Sequence, residues 1–250
     1  MKVYEIANLI ENIAPLTLAE EWDNVGLLIG DKSCEISGVV VCLDLTNGAI
    51  DYCINNNCNM IITHHPAIFE PLKKITYCDY IGNLVAKCIK NNINVYSAHT
   101  NMDMSEEGIN FEIGKLLGVQ ANRFLSDGLG IYGEYNGDLD KLLLNLQEIT
   151  KESCPKIYIA KDGRNHKKQN IAFISGSGGR IDEVVKRVKE LNIATFISSE
   201  LKHNIIIELL AQDVNVIQIG HFESEIIFVE IIFKLLENKI SNLYKYVSLN

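Results

Sequence analysis

Short β-branched runs alternate with amphipathic stretches along almost the whole chain, and this alternation restricts the fold to the α/β class. Strand patterns fall at 39–45, 60–64, 93–98, 156–160, 170–175, 194–198 and 214–219. Helical spacing covers 3–13, 47–57, 80–91, 109–117, 138–150, 181–191, 202–211 and 222–237. Ile181, Val184, Val185, Val188 and Leu191, for example, repeat at the 3.6-residue period that places apolar side chains on one helix face. Strands separated by helices pair in parallel through crossover connections, so the sequence predicts an α/β fold with mainly parallel sheets. The chain has 250 residues and 47% hydrophobic content, enough for one large core or two small ones.

Near 121–137 the rhythm breaks into SDGLG and IYGEYNGD, and a lobe boundary is expected there. The first lobe is then 1–122, rejoined by 221–250, and the second lobe is 123–220. The NGD before 138–150 supplies a turn and an N-cap. The final NLYKYVS alternates as a returning strand would.

The net charge of −9 argues against general nucleic-acid binding, which needs a basic stripe to neutralise phosphates. The opening MKVYEIANLIENIAP carries Glu5 and Glu11 and lacks the apolar stretch of a signal peptide. No run approaches the roughly 20 apolar residues of a membrane span. Seven cysteines with no C-x-x-C pair are expected as reduced thiols in a cytoplasm, with Cys42, Cys53 and Cys88 in the core.

Chemistry concentrates at the downstream ends of the strand-like runs. Five of the six histidines, His64, His65, His99, His203 and His221, lie there, as do Asp44, Asp103, Glu200 and Glu225. Open α/β sheets place their sites at this edge. Imidazole and carboxylate together are the ligand set of zinc, manganese, iron, cobalt or nickel, and carboxylates can bridge two such ions. Neighbouring side chains on a regular strand point to opposite faces, so His64 and His65 can share a site only if the chain turns, as Pro66 encourages. His221 and Glu225 are one helical turn apart and share a helix face.

Each piece also has a plainer reading. Asp103 could cap or turn the chain before the next helix. His99 could orient a ligand, donate a proton or be a buried, hydrogen-bonded histidine. Asp23 and Asn24 could line a pocket, with Trp22 in the core. ISGSGGR (174–180) is either a small anion cradle or a tight strand-to-helix turn, and it lacks the lysine of a P-loop. KDGRNHKK (161–168), with His166, reads as a solvated hairpin tip.

EEWDNVGLLIGD, ITHHP (62–66), AHTNMD (98–103) and GHFESE (220–225), taken together and in that order, resemble the family of GTP cyclohydrolase 1 type 2 homologues, also called Nif-three-like. The match runs from about Trp22 to Glu225, and the length resembles the short bacterial form without an inserted mid-chain domain. SEEGIN (105–110) departs from the pattern, with a single glycine where the family usually shows two.

The resemblance implies a two-lobed Nif-three-like fold, a toroidal homohexamer and two divalent metal ions per subunit. Carried over by position, the ligands are His64, His65, Asp103, His221 and Glu225, with Glu225 as the bridge. Glu200 and His203 in SSELKH also match a family motif and are candidates for general acid or base or for gripping substrate, the plainer reading being a helix cap. The implied activity is hydrolysis by a hydroxide bridging the ions, attacking a nucleotide-like, cyclic amide or phosphate substrate. The alternative is a non-enzymatic protein that handles metal or serves as a ring-shaped regulatory scaffold.

Overall fold

The computed structural model describes residues 1–161, 167–177 and 181–248. The chain divides into two compact units, Met1–Ser105 with Phe228–Asn250, and Glu106–Ile227.

The first unit is built on a five-stranded sheet in the order β1-β4-β3-β2-β11. Its strands are β1 (Gly26–Ile29), β2 (Val39–Cys42), β3 (Met60–Thr63), β4 (Asn94–Ser97) and β11 (Leu243–Lys245). β11, β2, β3 and β4 are parallel, and β1 closes one edge antiparallel to β4. Every residue of β2, β3 and β4 is buried, which explains why VVVC and MIIT read as unbroken apolar runs rather than alternating ones.

The helices of this unit are α1 (Val3–Ile13), α2 (Asn47–Asn55), α3 (Tyr80–Lys90), α4 (Thr100–Met104) and α10 (Ile227–Leu236), the last starting at the unit boundary. On one face Val40, Ile61 and Val95 pack with Ile50 and Cys53 of α2 and Leu84 and Cys88 of α3. On the other, the hydroxyl of buried Tyr96 donates to Glu11 of α1 at 3.1 Å. Thr46 caps α2 by accepting from the Ala49 amide, and Asp79 caps α3 by accepting from Gly82.

The second unit carries a six-stranded sheet in the order β5-β6-β8-β9-β10-β7. Its strands are β5 (Asn122–Arg123), β6 (Ile131–Tyr135), β7 (Lys156–Tyr158), β8 (Gln169–Phe173), β9 (Thr195–Ser198) and β10 (Asn215–Gln218). β8, β9 and β10 run parallel, while β5, β6 and β7 pair antiparallel, so this sheet is mixed. Its helices are α5 (Ile109–Leu116), α6 (Leu139–Thr150), α7 (Ile181–Glu190), α8 (His203–Ala211) and α9 (His221–Glu225). Val184 and Val188 of α7, with Ile205 and Leu209 of α8, cover Ala172, Phe196 and Val216.

Several expectations need adjustment. β1, β5 and β6 lie in segments read only as motif or glycine-rich break. In β6 the alternating Ile131, Gly133 and Tyr135 are the buried positions. A side chain at Gly133 would meet the Gln120 carbonyl at 2.6 Å, so that glycine permits close chain approach within a strand. The stretch 222–237 is two helices, α9 and α10, not one. The strands on either side of KDGRNHKK pair elsewhere, β7 with β10 and β8 with β6 and β9. Residues 162–166 of that segment, His166 included, lie outside the described residues.

Asp138 accepts from the Lys141 amide at 2.9 Å, the cap expected for α6. The seven cysteines are free thiols, and burial pushes the Cys53 and Cys88 thiols up to about 12. Among the described residues no helix is long and apolar enough to cross a membrane.

Deleting the fully buried Ile61 side chain should be the more damaging of two probes of this architecture. Ile61→Ala is expected to lower unfolding free energy by about 2–5 kcal/mol in urea titration, and Asp138→Ala by about 1 kcal/mol through the lost cap.

Candidate metal centre

In the first unit the donors come from three adjacent parallel strand ends. Cys42, Thr63 and Ser97 stand in register across β2, β3 and β4, so Asp44, His64, His65 and His99 all leave the sheet at one edge. The amides of both His64 and His65 donate to the Leu43 carbonyl, at 3.1 and 3.0 Å. Strand pairing ends there, and the turn lets two adjacent imidazoles face the same way, with ring centroids 4.9 Å apart. His99 joins them, at 5.1 Å from His64 and 5.5 Å from His65. One potential ligand atom from each of the three lies within 4.8 Å of the others.

The tautomers follow from the partners. His64 Nδ1 is 2.8 Å from the Ala98 carbonyl, His65 Nδ1 is 2.8 Å from Asp44, and His99 Nδ1 is 2.9 Å from Asp23. Carbonyls and carboxylates only accept, so in the neutral ring each Nδ1 carries the proton and each Nε2 keeps its lone pair. Asp103, in α4, brings a carboxylate oxygen to 3.8 Å from His64 Nε2.

Asp23 is the firmest anchor of the set. Burial alone would raise its carboxyl, but the hydrogen bonds from His99 and the Thr100 hydroxyl, charge attraction to the protonated His99 ring and the Thr100 amide bond together outweigh it and bring the pKa to about 2.

The second unit presents a separate donor pair built on the same logic. β8, β9 and β10 end side by side, releasing Gly176, Glu200 and His221. His221 opens α9, with Nε2 3.0 Å from Glu225 and Nδ1 3.2 Å from Glu200. The one-turn spacing thus places His221 and Glu225 together, with Glu225 buried. Buried Ser224 secures the turn: its hydroxyl donates to the His221 carbonyl at 2.8 Å and accepts from the Gly176 amide at 3.1 Å.

Gly176 belongs to the SGSGG segment and has φ of +61°. A Cβ there would lie 2.2 Å from a Glu225 oxygen and 3.4 Å from His221 Nε2. Its described part, to Ser177, is therefore a tight turn that lets backbone approach the donor pair, while residues 178–180 fall outside the described residues.

The structure groups His64, His65, His99 and Asp103 in one unit, and His221, Glu225 and Glu200 in the other. His203 is exposed at the start of α8. Trp22 is exposed rather than core, 5.6 Å from Phe69 and 6.3 Å from His99. Sequence reading noted Asp23 and Asp44 but not their partners. Those lie 76 and 21 residues away, and no local spacing encodes them. Ser199 and Ser224, whose hydroxyls meet at 2.8 Å, gave no signal beyond lying inside SSELKH and GHFESE.

The donors fit divalent ions. The imidazoles of His64, His65 and His99 are held in the ligating tautomer, carboxylates lie near Nε2 atoms, and the hydrogen-bonded partners that raise ligand basicity are present.

Gly176→Ala is expected to force the Glu225 carboxylate aside and weaken metal binding roughly 10–100-fold, checked by competition with a chromophoric chelator. The Asp23 carboxyl, depressed in the folded state, stabilises the fold above its ordinary pKa of 3.8, and that contribution is lost as pH falls towards about 2. At about 1.4 kcal/mol per pKa unit, the stability advantage of metal-free wild type over Asp23→Asn should shrink by about 2 kcal/mol between pH 5 and pH 2 in urea unfolding.

The chain matches the family model described as Duf34/NIF3 (NGG1p interacting factor 3) over residues 1–249. It is 34% identical over 247 residues to a protein of Clostridium acetobutylicum named GTP cyclohydrolase 1 type 2 homolog, covering 95% of this chain and 90% of that one. A protein of the same name from Campylobacter jejuni is 32% identical, with 95% and 93% covered. Among solved structures, reduced HcgD from Methanocaldococcus jannaschii superposes with a TM-score of 0.88 at 26% identity, covering 98% of this chain and 97% of that chain. The chain belongs to the Duf34/NIF3 family.

Proposed function

We propose that this protein is a dinuclear-metal-dependent hydrolase, with His64, His65, Asp103, His221 and Glu225 holding two divalent ions per subunit and Glu225 bridging them. The observation that carries the reading is that His64, His65 and His99 each have Nδ1 beside an acceptor, which leaves Nε2 as the ligating atom, and that His221 stands between the Glu200 and Glu225 carboxylates. Three such imidazoles and His221, all at strand ends with carboxylates nearby, form a prepared ligand set rather than a scatter of core histidines.

Bound divalent ions supply Lewis acidity and water acidified towards neutral pH. The chain's own residues hold the protons in place around that chemistry. Asp44 and Asp23 keep the protons of His65 and His99 on Nδ1. Glu200, exposed and 3.2 Å from His221 Nδ1, can hold a proton there and exchange it with solvent. His99 lies against His64 and His65, close enough to orient them or pass a proton, and His203 on α8 is available to contact substrate. The relatives' name directs attention to a nucleotide-like substrate, with cyclic amides and phosphate esters as the wider class. The same reading has the protein working in the cytoplasm as a homohexamer.

Turnover by purified, metal-quantified protein against GTP, phosphate esters and cyclic amides tests this reading. Wild type is expected to bind two ions per chain and to release formate from GTP or hydrolyse another member of the panel. Glu225→Ala should lose metal and lower turnover by more than about a hundredfold. Full metal loading with no turnover of any substrate would overturn the hydrolase and favour metal handling or a ring-shaped scaffold.

A further inference from the structure

A cleft of about 620 Å³ lies in the first unit beside His65, between the end of β3 and the start of α3. This volume suits a one- or two-ring organic group. Its walls are mostly apolar, with Ile68, Phe69, Leu72 and Tyr80 among them. Phe69 is 46% exposed, Leu72 36% and Tyr80 58%, an unusual concentration of uncovered large side chains around one opening.

The segment that forms the wall is anchored. The Asn24 side chain donates to the Ile68 carbonyl, and Trp22 stacks at a tilt on Phe69. Aromatic surface is thereby held open beside the imidazole cluster.

The polar lining selects the occupant. Besides His65 and the Tyr80 hydroxyl it consists of Asp44, Glu70 and Thr46, and among the described residues neither lysine nor arginine lines it. A phosphate entering here would face two carboxylates with no lysine or arginine to offset them. A pure hydrocarbon would strip water from those carboxylates without replacing its hydrogen bonds. A flat ring bearing N–H donors satisfies both constraints, placing a face on the aromatic side chains and its N–H groups towards Asp44 and Glu70.

We infer that this cleft seats the ring of the substrate, an uncharged or cationic nitrogen heterocycle, with any phosphate directed away from it. The inference rests on the hydrolase reading and narrows its substrate class. A ring held here abuts His65, so its edge lies next to the proposed ligands.

Trp22 is the chain's single tryptophan and is 57% exposed, so its emission reports on the cleft. Metal-free full-length protein would be titrated with adenosine, guanosine and ribose 5-phosphate, following Trp22 fluorescence and, in parallel, calorimetric heat. At least one nucleoside is expected to bind saturably in the roughly millimolar range or tighter, with ribose 5-phosphate giving no saturable signal. Phe69→Ala should weaken nucleoside binding about tenfold by removing a stacking face. Glu70→Lys, on an exposed residue, should weaken the nucleoside and strengthen its 5′-phosphate.

Absence of nucleoside binding to wild type overturns the inference, as does binding of ribose 5-phosphate equal to that of the nucleosides or nucleoside binding indifferent to both substitutions. Because the titration needs neither metal nor turnover, the two readings fail separately. Turnover without nucleoside binding removes the cleft assignment alone, and nucleoside binding without any turnover removes the hydrolase alone.

Discussion

Parallel pairing with equal register forces neighbouring strands to end at the same edge of a sheet, and the donors of the first unit depend on that geometry. β2, β3 and β4 stop level with one another, and the residues immediately beyond them are Asp44, His64, His65 and His99. A backbone detail makes the edge usable, since the Leu43 carbonyl receives the amides of both adjacent histidines and ends the strand alternation that would have split them. The second unit repeats the arrangement with β8, β9 and β10, releasing Gly176, Glu200 and His221.

Once the rings are at the edge, their chemistry is set by what lies behind them. An imidazole has two tautomers, and only an acceptor at Nδ1 commits Nε2 to ligation. For His64, His65 and His99 the acceptors are the Ala98 carbonyl, Asp44 and Asp23, each delivered by a different stretch of chain, while His221 stands between Glu200 and Glu225. Asp23 shows how strongly such a partner can be fixed, because hydrogen bonds from His99 and Thr100, with charge attraction to His99, overcome the cost of burying its charge. Gly176 makes the complementary contribution through absence, since any side chain there would occupy the space of the Glu225 carboxylate.

Much of this was legible before any coordinates. Residues 39–42, 60–63, 94–97 and 195–198 are buried throughout, and their apolar runs stood out. Helices α1, α2, α3, α6 and α8 declared themselves by period, and α6 also by its cap. Elements whose pattern was diluted escaped. β6 is interrupted by Gly133, a residue required by the close passage of 119–120, and glycine in a sequence reads as a break. β7 was placed correctly along the chain, but its partner was not visible, because pairing with β10 rather than β8 is a choice among distant segments. Trp22 looked like core by its type, yet it is exposed against Phe69.

The sequence by itself determined the α/β class, the strand ends that carry histidine and carboxylate, and the resemblance to the family, because periodicity and short motifs are local properties of the chain. Helical spacing alone also placed His221 beside Glu225. Tertiary structure decided the partners: Asp23 for His99 across 76 residues, Asp44 for His65 across 21, and the aromatic cleft that Trp22, Asn24 and Phe69 hold open. The physical reason is that hydrogen bonds and ring contacts act over a few ångströms in space, whereas the residues making them are separated along the chain by lengths that only folding brings together.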